Sequence, residues 1–496
     1  MHFPRNAGTL WSTARTEVKN MFLMRFCGVS VLVLAFFGGA CTVPNPRSCG
    51  DGVCSDQQFP FCDINGTLGG EPNECVAVAC QPGKVAECRG DIAVTCNASG
   101  NNFDLSTCQG SCDIASGGCV ECVSSSECQS SEPVCDVATR MCRGCTSDSE
   151  CSSGVCQMDS GVCYDASQVI YAHPDGSGLT PCAMNDPCPA YYALTTALQQ
   201  PMPPPIRLLP GIYRDAISVA TDDNKSVIFT GAGASLVGDV IIAGEVRVKF
   251  RDLILRSNIT CGNNSIKRSR LDLDRVTYLS QHSGVQIYHC SADISDSKFR
   301  GLPSSGLRLI YVYDDGALTI DRSRFDIAGG LFNVQASGRR MRVRVTNSVL
   351  KGGLSVKGYD ASASGSQSTF QFGFNTFIDP NVWCYNPEGG RYSMLFENNI
   401  FYSSGTMAPD FGSGMFNSVC TFNTNVFSLA QPYGGTNINA DPMLTNPAED
   451  DFAPLFASPA IDAAIPSVQL PATKDVRGVT RPQGGKPDIG AFERTP

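Results

Sequence analysis

The sequence predicts an all-β solenoid preceded by a disulfide-rich, loop-rich N-terminal region. Two observations carry this. Between Val248 and Phe427 one phrase recurs eight times: apolar, any, apolar, then an apolar residue five positions on. It runs Val248-Phe250-Leu255, Leu271-Leu273-Tyr278, Ala292-Ile294-Phe299, Leu318-Ile320-Phe325, Val343-Val345-Leu350, Phe370-Phe372-Phe377, Met394-Phe396-Phe401 and Cys420-Phe422-Phe427, with starts 21 to 27 residues apart. Period-two alternation marks a short strand with one buried face, and self-similarity at this spacing marks units that bury their edges against neighbours. The second observation is the 26 cysteines, 22 of them in the first 190 residues. Eight unrelated strands of a sandwich are the alternative for the repeats.

The units contain few helical runs and many β-branched, aromatic, Gly and Asn residues. They resemble a right-handed parallel β-helix of the pectin-lyase-like kind. Two residues before the last apolar position stand Leu253, Val276, Ser297, Ser323, Ser348, Asn375, Asn399 and Asn425. Stacked in register, the serines and asparagines would form a hydrogen-bonded ladder at a turn. Phe372-Phe396-Phe422 and Phe377-Phe401-Phe427 would form two internal stacks.

The chain starts with an export signal over residues 1–40. Arg25 is followed by the apolar run Phe26–Phe37 and by Gly38-Gly39-Ala40 before Cys41. The run is short for a membrane span. It resembles a bacterial lipoprotein signal, although Gly38 stands where such signals carry Leu. The resemblance implies that Cys41 is lipidated and anchors the protein at the bacterial outer membrane or cell surface.

Residues 41–165 form a cysteine-rich repeat region, with eighteen cysteines from Cys49 to Cys163 in groups of four, six, four and four. The last two groups, Cys122–Cys142 and Cys145–Cys163, are an internal duplication. Units this short and poor in apolar residues need disulfides. The pairing is open at this point. Zinc at Cys142/Cys145 or Cys119/Cys122 is disfavoured by export and by the lack of nearby His. Asp63, Asp148 and Asp159 read as solvated loop residues.

A β-helix domain is expected over 169–496. Ala190–Gln200 is the best helix candidate, with Tyr191, Leu194 and Leu198 on one face and Pro201 at its end. It would cap the open end of the solenoid. The tail resembles that of bacterial cell-surface β-helix proteins of the choice-of-anchor type. Asp441-Pro442, Ser458–Asp462, Asp475, Gly478, Arg481-Pro482 and Asp488–Glu493 carry the likeness, which implies a capping tail. These resemblances imply a fold and a location; the fold hosts lyases, hydrolases, adhesins and spacers.

Chemistry is less sharply marked. In register, Asp272, Asp274 and Asp293 converge on one outer patch, a set of oxygens suited to Ca2+. The resembled lyases use such carboxylates with a Lys or Arg base, here Lys249 or Arg270. Against this, Lys249 and Arg251 fall beside Asp272 and Asp274. Asp252, Arg275, Asp296 and Arg322 alternate in sign like a salt-bridge ladder. Arg322, Arg324, Arg342 and Arg344, with Arg339 and Arg340, are candidates to receive uronate or sulfate groups. His282 and His289 lack a paired nucleophile, and no GxSxG is present. The formal charge of −10 argues against nucleic acid as the main partner. A monomeric surface protein that binds polysaccharide is expected; a calcium-dependent lyase or hydrolase and a structural spacer are the alternatives.

Overall fold

The structure is a computed structural model. It describes residues 48–50, 52–177, 181–262, 268–280, 284–301, 309–313, 315–337, 340–359, 368–380, 382, 392–405, 420–430, 434–467, 469–470 and 472–495. The expected signal and Cys41 lie outside the described residues. The chain divides into two compact units, one ending at Thr107 and one running from Cys108 to Pro496.

The first unit is held by Cys49–Cys62, Cys54–Cys75 and Cys80–Cys96, around a three-stranded antiparallel sheet from Val85 to Thr107. Asp63 is not solvated. It is buried, and its carboxylate accepts the backbone N–H groups of Thr67, Leu68 and Gly70. Burial alone would raise its pKa; these donors outweigh it and hold the carboxyl below its usual range.

The second unit opens with the duplicated repeats. Each pairs its first cysteine with its third and its second with its fourth: Cys122–Cys135 and Cys128–Cys142, then Cys145–Cys156 and Cys151–Cys163. Each also builds a short turn that ends on a glutamate. Glu127 accepts the Val123 N–H at 2.8 Å, and Glu150 accepts the Thr146 N–H at 2.7 Å. The second repeat is continuous with the β-helix. Val155, Val169 and Tyr171 share a small core, and the Tyr171 hydroxyl donates to the Ser153 carbonyl.

The solenoid is parallel and in register. Val248, Leu271, Ala292, Leu318, Val343, Phe370, Met394 and Cys420 pair successively, as do Leu255, Tyr278, Phe299, Phe325, Leu350, Phe377, Phe401 and Phe427. Three sheets result. The first contains Ser269–Asp274, the second Lys298–Gly301 and the third Val285–Tyr288, with their stacked equivalents. Both phenylalanine stacks form: Phe372–Phe396–Phe422 at 4.7 and 5.0 Å, and Phe377–Phe401–Phe427 at 4.8 and 4.9 Å.

The polar ladder forms at the turn from the first sheet to the second. Ser297, Ser323 and Ser348 each accept the backbone N–H of the coil before, and Asn375, Asn399 and Asn425 continue the series. Asn437 adds a further rung. The residues preceding Val276 and the rungs from Ser297 to Asn425 are left-handed: Arg275, Asp296, Arg322, Asn347, Phe374, Asn398 and Thr424. This bend turns the backbone N–H groups along the axis, where a side-chain oxygen must satisfy them.

The helix spans Ala190–Leu198 and closes the start of the core with Ala190, Ala193, Leu194 and Ala197. Its buried face is therefore alanine-rich. Tyr191, expected on that face, is 63 % exposed. The disulfides Cys182–Cys188 and Cys261–Cys290 also belong to the solenoid, with all four cysteines buried. The C-terminal tail packs on the outside of the second sheet. There Phe452, Ala460, Ala464, Ile489 and Ala491 form a second core with Val349, Ile378, Ile400 and Val426. Its motif residues hold that packing: the Arg481 guanidinium bonds Glu493 and the Asp488 and Gly490 carbonyls. Gly490 has φ +96°, and a Cβ there would meet Ile400 at 2.6 Å.

Candidate functional site

The outer face of the first sheet carries the carboxylates that register predicts to converge. Lys249, Asp272, Asp293, Thr319, Arg344 and Gln371 stack in one column, and Arg247, Arg270, Ser291, Ala317, Arg342 and Thr369 in the next. At the early coils the second cysteine-rich repeat reaches this face through Asp148, which pairs with Arg251. At the later coils the tail covers it: Gln469 bonds Gln371 and Leu470 packs over Gly373.

Each of the three aspartates is paired with cations. Asp272 is buried and takes Arg247 at 2.5 Å and Arg270 at 3.0 Å. Arg270 also reaches Asp293 at 2.7 Å. Asp274 takes Lys249 and Arg275, both at 3.3 Å. So Lys249, expected beside Asp272, pairs diagonally, and Arg251 leaves Asp274 for Asp148. A calcium ion here would have to displace these cations. Among the described residues, the groups close enough to share a metal are cysteine trios, all of them disulfide-bonded. The salt-bridge ladder forms as its alternating signs suggest. Arg275 holds Asp252 at 2.9 Å, and Arg322 holds Asp296 at 2.7 Å. For Arg275, burial opposes the charge, but the Asp252 bond and the Asp274 charge outweigh it and raise the pKa.

The four candidate arginines do not converge. Arg322 occupies the turn, bound to Asp296 and Asp321. Arg324 lies around the corner on the second sheet, paired with Asp450 at 2.9 Å. Arg342 and Arg344 remain together on the first sheet, and among the described residues neither has an acidic partner. The physical reason is the bend at Arg322: residues two apart across it point from different sheets. Arg339 and His282 lie outside the described residues. His289 is a left-handed turn residue, 4.0 Å from Asp315.

The third sheet adds a feature that the repeat alignment missed. Ile310 and Val312 point into the core, so Tyr311 and Tyr313 point outward. Tyr313 pairs in register with Tyr288, and their rings lie parallel, 4.4 Å apart. The Tyr311 ring is parallel to that of Tyr313 at 5.7 Å. All three are half-buried. At the next turn stand His289, Asp315 and Arg340, with Arg340 3.8 Å from Asp315. Arg342 follows on the first sheet. A strip of aromatic and cationic groups thus wraps one corner of the solenoid. The alternation in VQIY and IYVY was the available signal for it.

No family model matches this chain, and no curated protein matches it. Among solved structures it is similar to one titled "Crystal structure of pectate lyase Pel9A", at 15% sequence identity and a TM-score of 0.36, over 66% of this chain and 96% of the other.

Proposed function

We propose that this protein is an exported, lipid-anchored surface protein whose β-helix binds polysaccharide. The observation that carries the reading is the corner strip of Tyr288, Tyr311 and Tyr313 beside Arg340 and Arg342. Pyranose rings present an apolar C–H face, which packs on aromatic rings, while tyrosine hydroxyls and arginines meet the sugar's polar edge. Two adjacent coils carry the strip, through Tyr288 on one and Tyr311 and Tyr313 on the next. The disulfide-bonded repeats fit an oxidising compartment outside the cytosol. The early repeats then serve as a spacer between the lipid on Cys41 and the solenoid.

Retention of the mature chain on immobilised neutral and uronic polysaccharides tests the reading. At least one polymer should retain the wild type, and Tyr311→Ala with Tyr313→Ala should weaken retention tenfold or more. Equal retention of wild type and variant would remove the tyrosine strip from the binding site, and retention on no polymer would leave the spacer. Labelled fatty acid should enter the wild type and not Cys41→Ser; equal labelling of both would remove the anchor.

A further inference from the structure

A cleft on the second sheet shows carboxylate recognition already at work. It is bounded by Lys298, Phe299, Arg300, Arg324, Asp326 and Asp450, with a volume of about 170 Å³. Asp450 arrives from the C-terminal tail in a left-handed conformation. Its carboxylate bridges Arg324 at 2.9 Å and Lys351 at 3.0 Å. Lys351, Arg324 and Arg300 together hold that carboxyl below its usual range, against a smaller effect of burial.

One coil earlier Lys298 and Arg300 continue the strip. Lys298 pairs in register with Arg324, and Arg300 with Asp326. Like charges directly opposite on neighbouring strands destabilise a sheet. Asp450 relieves Arg324. Lys298 and Arg300 are exposed, two apart on one strand and on the same face, and among the described residues neither has an ion-pair partner. The cleft thus has three cations, Lys298, Arg300 and Arg324, against two acids, Asp326 and Asp450, and Lys351 beside it also pairs with Asp450. Its volume is below that of a pocket for a drug-sized ligand, and suits one charged substituent.

We propose that Lys298 and Arg300 bind one anionic substituent, carboxylate or sulfate, of a bound glycan. Lys298 is the register equivalent of Arg324, and because Asp326 stands where the later coil has Lys351, Arg300 of the same strand would supply the second cation. The site lies on a different sheet from the tyrosine strip and rests on the polysaccharide reading.

Calorimetric titration of the mature chain with tetragalacturonate, neutral cellotetraose and inorganic sulfate tests it. The double variant Lys298→Gln, Arg300→Gln should bind tetragalacturonate at least tenfold more weakly and leave any cellotetraose binding unchanged. Asp450→Asn removes the internal competitor, suits the left-handed turn, and should strengthen tetragalacturonate binding several-fold. A purely structural cluster would not gain affinity that way. Unchanged tetragalacturonate affinity in the double variant would overturn the site while the tyrosine variant still reports on the polysaccharide reading. Equal loss for cellotetraose would overturn it too. Inorganic sulfate binding as tightly as the tetrasaccharide would make the cleft a simple ion site and overturn the glycan assignment.

Discussion

The Asp148 carboxylate in the second duplicated repeat receives the Arg251 guanidinium of the solenoid, through Nε at 3.1 Å and Nη2 at 2.5 Å, with both side chains 4 % exposed. The first repeat has Ser125 at the equivalent position. Ser125 accepts the Cys135 N–H at 3.1 Å, and Asp148 accepts the Cys156 N–H at 2.8 Å. The local turn bond is therefore common to both repeats. The oxygen that accepts the Cys156 N–H also takes the Arg251 Nη2, and the second oxygen accepts from the Thr230 hydroxyl and the Arg251 Nε. The carboxylate adds this ion pair to the Val155, Val169 and Tyr171 packing that joins the second repeat to the β-helix.

Asp148→Ser should keep the turn bond and strand Arg251 in a buried site. Losing one partner of a buried pair costs about 3–5 kcal/mol. Urea unfolding of the mature chain should show a loss of that order. Adding Arg251→Met should restore most of it. A serine variant as stable as wild type would mean that the pair is not coupled to folding.

Asn399 is the ladder's most connected rung. Its amide donates to the Phe372 and Glu397 carbonyls and to Asn425, and its oxygen accepts the Asn375 N–H. Asn399→Ala leaves buried groups unpaired, each at about 1–3 kcal/mol. Asn399→Ser should cost less, because serine fills the same role at Ser297, Ser323 and Ser348. Thermal unfolding should rank wild type above serine above alanine; equal melting of serine and alanine would contradict the ladder.

Glu150 titrates far below its ordinary value, at about 2. The Arg143 hydrogen bond is the largest cause, and the Thr146 and Ser147 N–H groups add to it. A depressed carboxyl contributes stability above its unfolded value near 4.5, and loses it as pH falls through the folded value. The second repeat should therefore loosen between about pH 4.5 and 2. Hydrogen exchange at residues 145–163 should rise across that window in the wild type. In Glu150→Gln it should already be raised at neutral pH and change little; an identical acid profile in both would remove Glu150 from the cause.

The paired aspartates of the first sheet should not support elimination chemistry. With uronic-acid polymers, no ultraviolet-absorbing unsaturated product is expected, with calcium or with chelator. Calcium-dependent product that disappears in Asp272→Ala or Asp293→Ala would replace the binding reading with a lyase.

The repeat phrase by itself determined the pairing of eight coils, both phenylalanine stacks and the Ser/Asn ladder. It could do so because a stack of parallel strands has one repeating rule: residues at the same offset pair along the axis. The same rule brought Asp272, Asp274 and Asp293 to one face and alternated the charges of Asp252, Arg275, Asp296 and Arg322. The third sheet escaped that rule, because loops of unequal length separate its strands from the phrase, and the outward tyrosines went unseen with it.

Only the tertiary structure decided which charges are free. Arg322, Arg324 and Arg344 look alike in sequence. A left-handed bend sends Arg324 to another sheet, where a tail residue 126 positions away claims it. Arg251 and Asp148 are 103 positions apart, and each had a plausible solvated role. Ion pairs of that kind depend on where additions to the solenoid land, and no periodicity encodes their landing. It is set by shape and by the cost of leaving a buried charge alone.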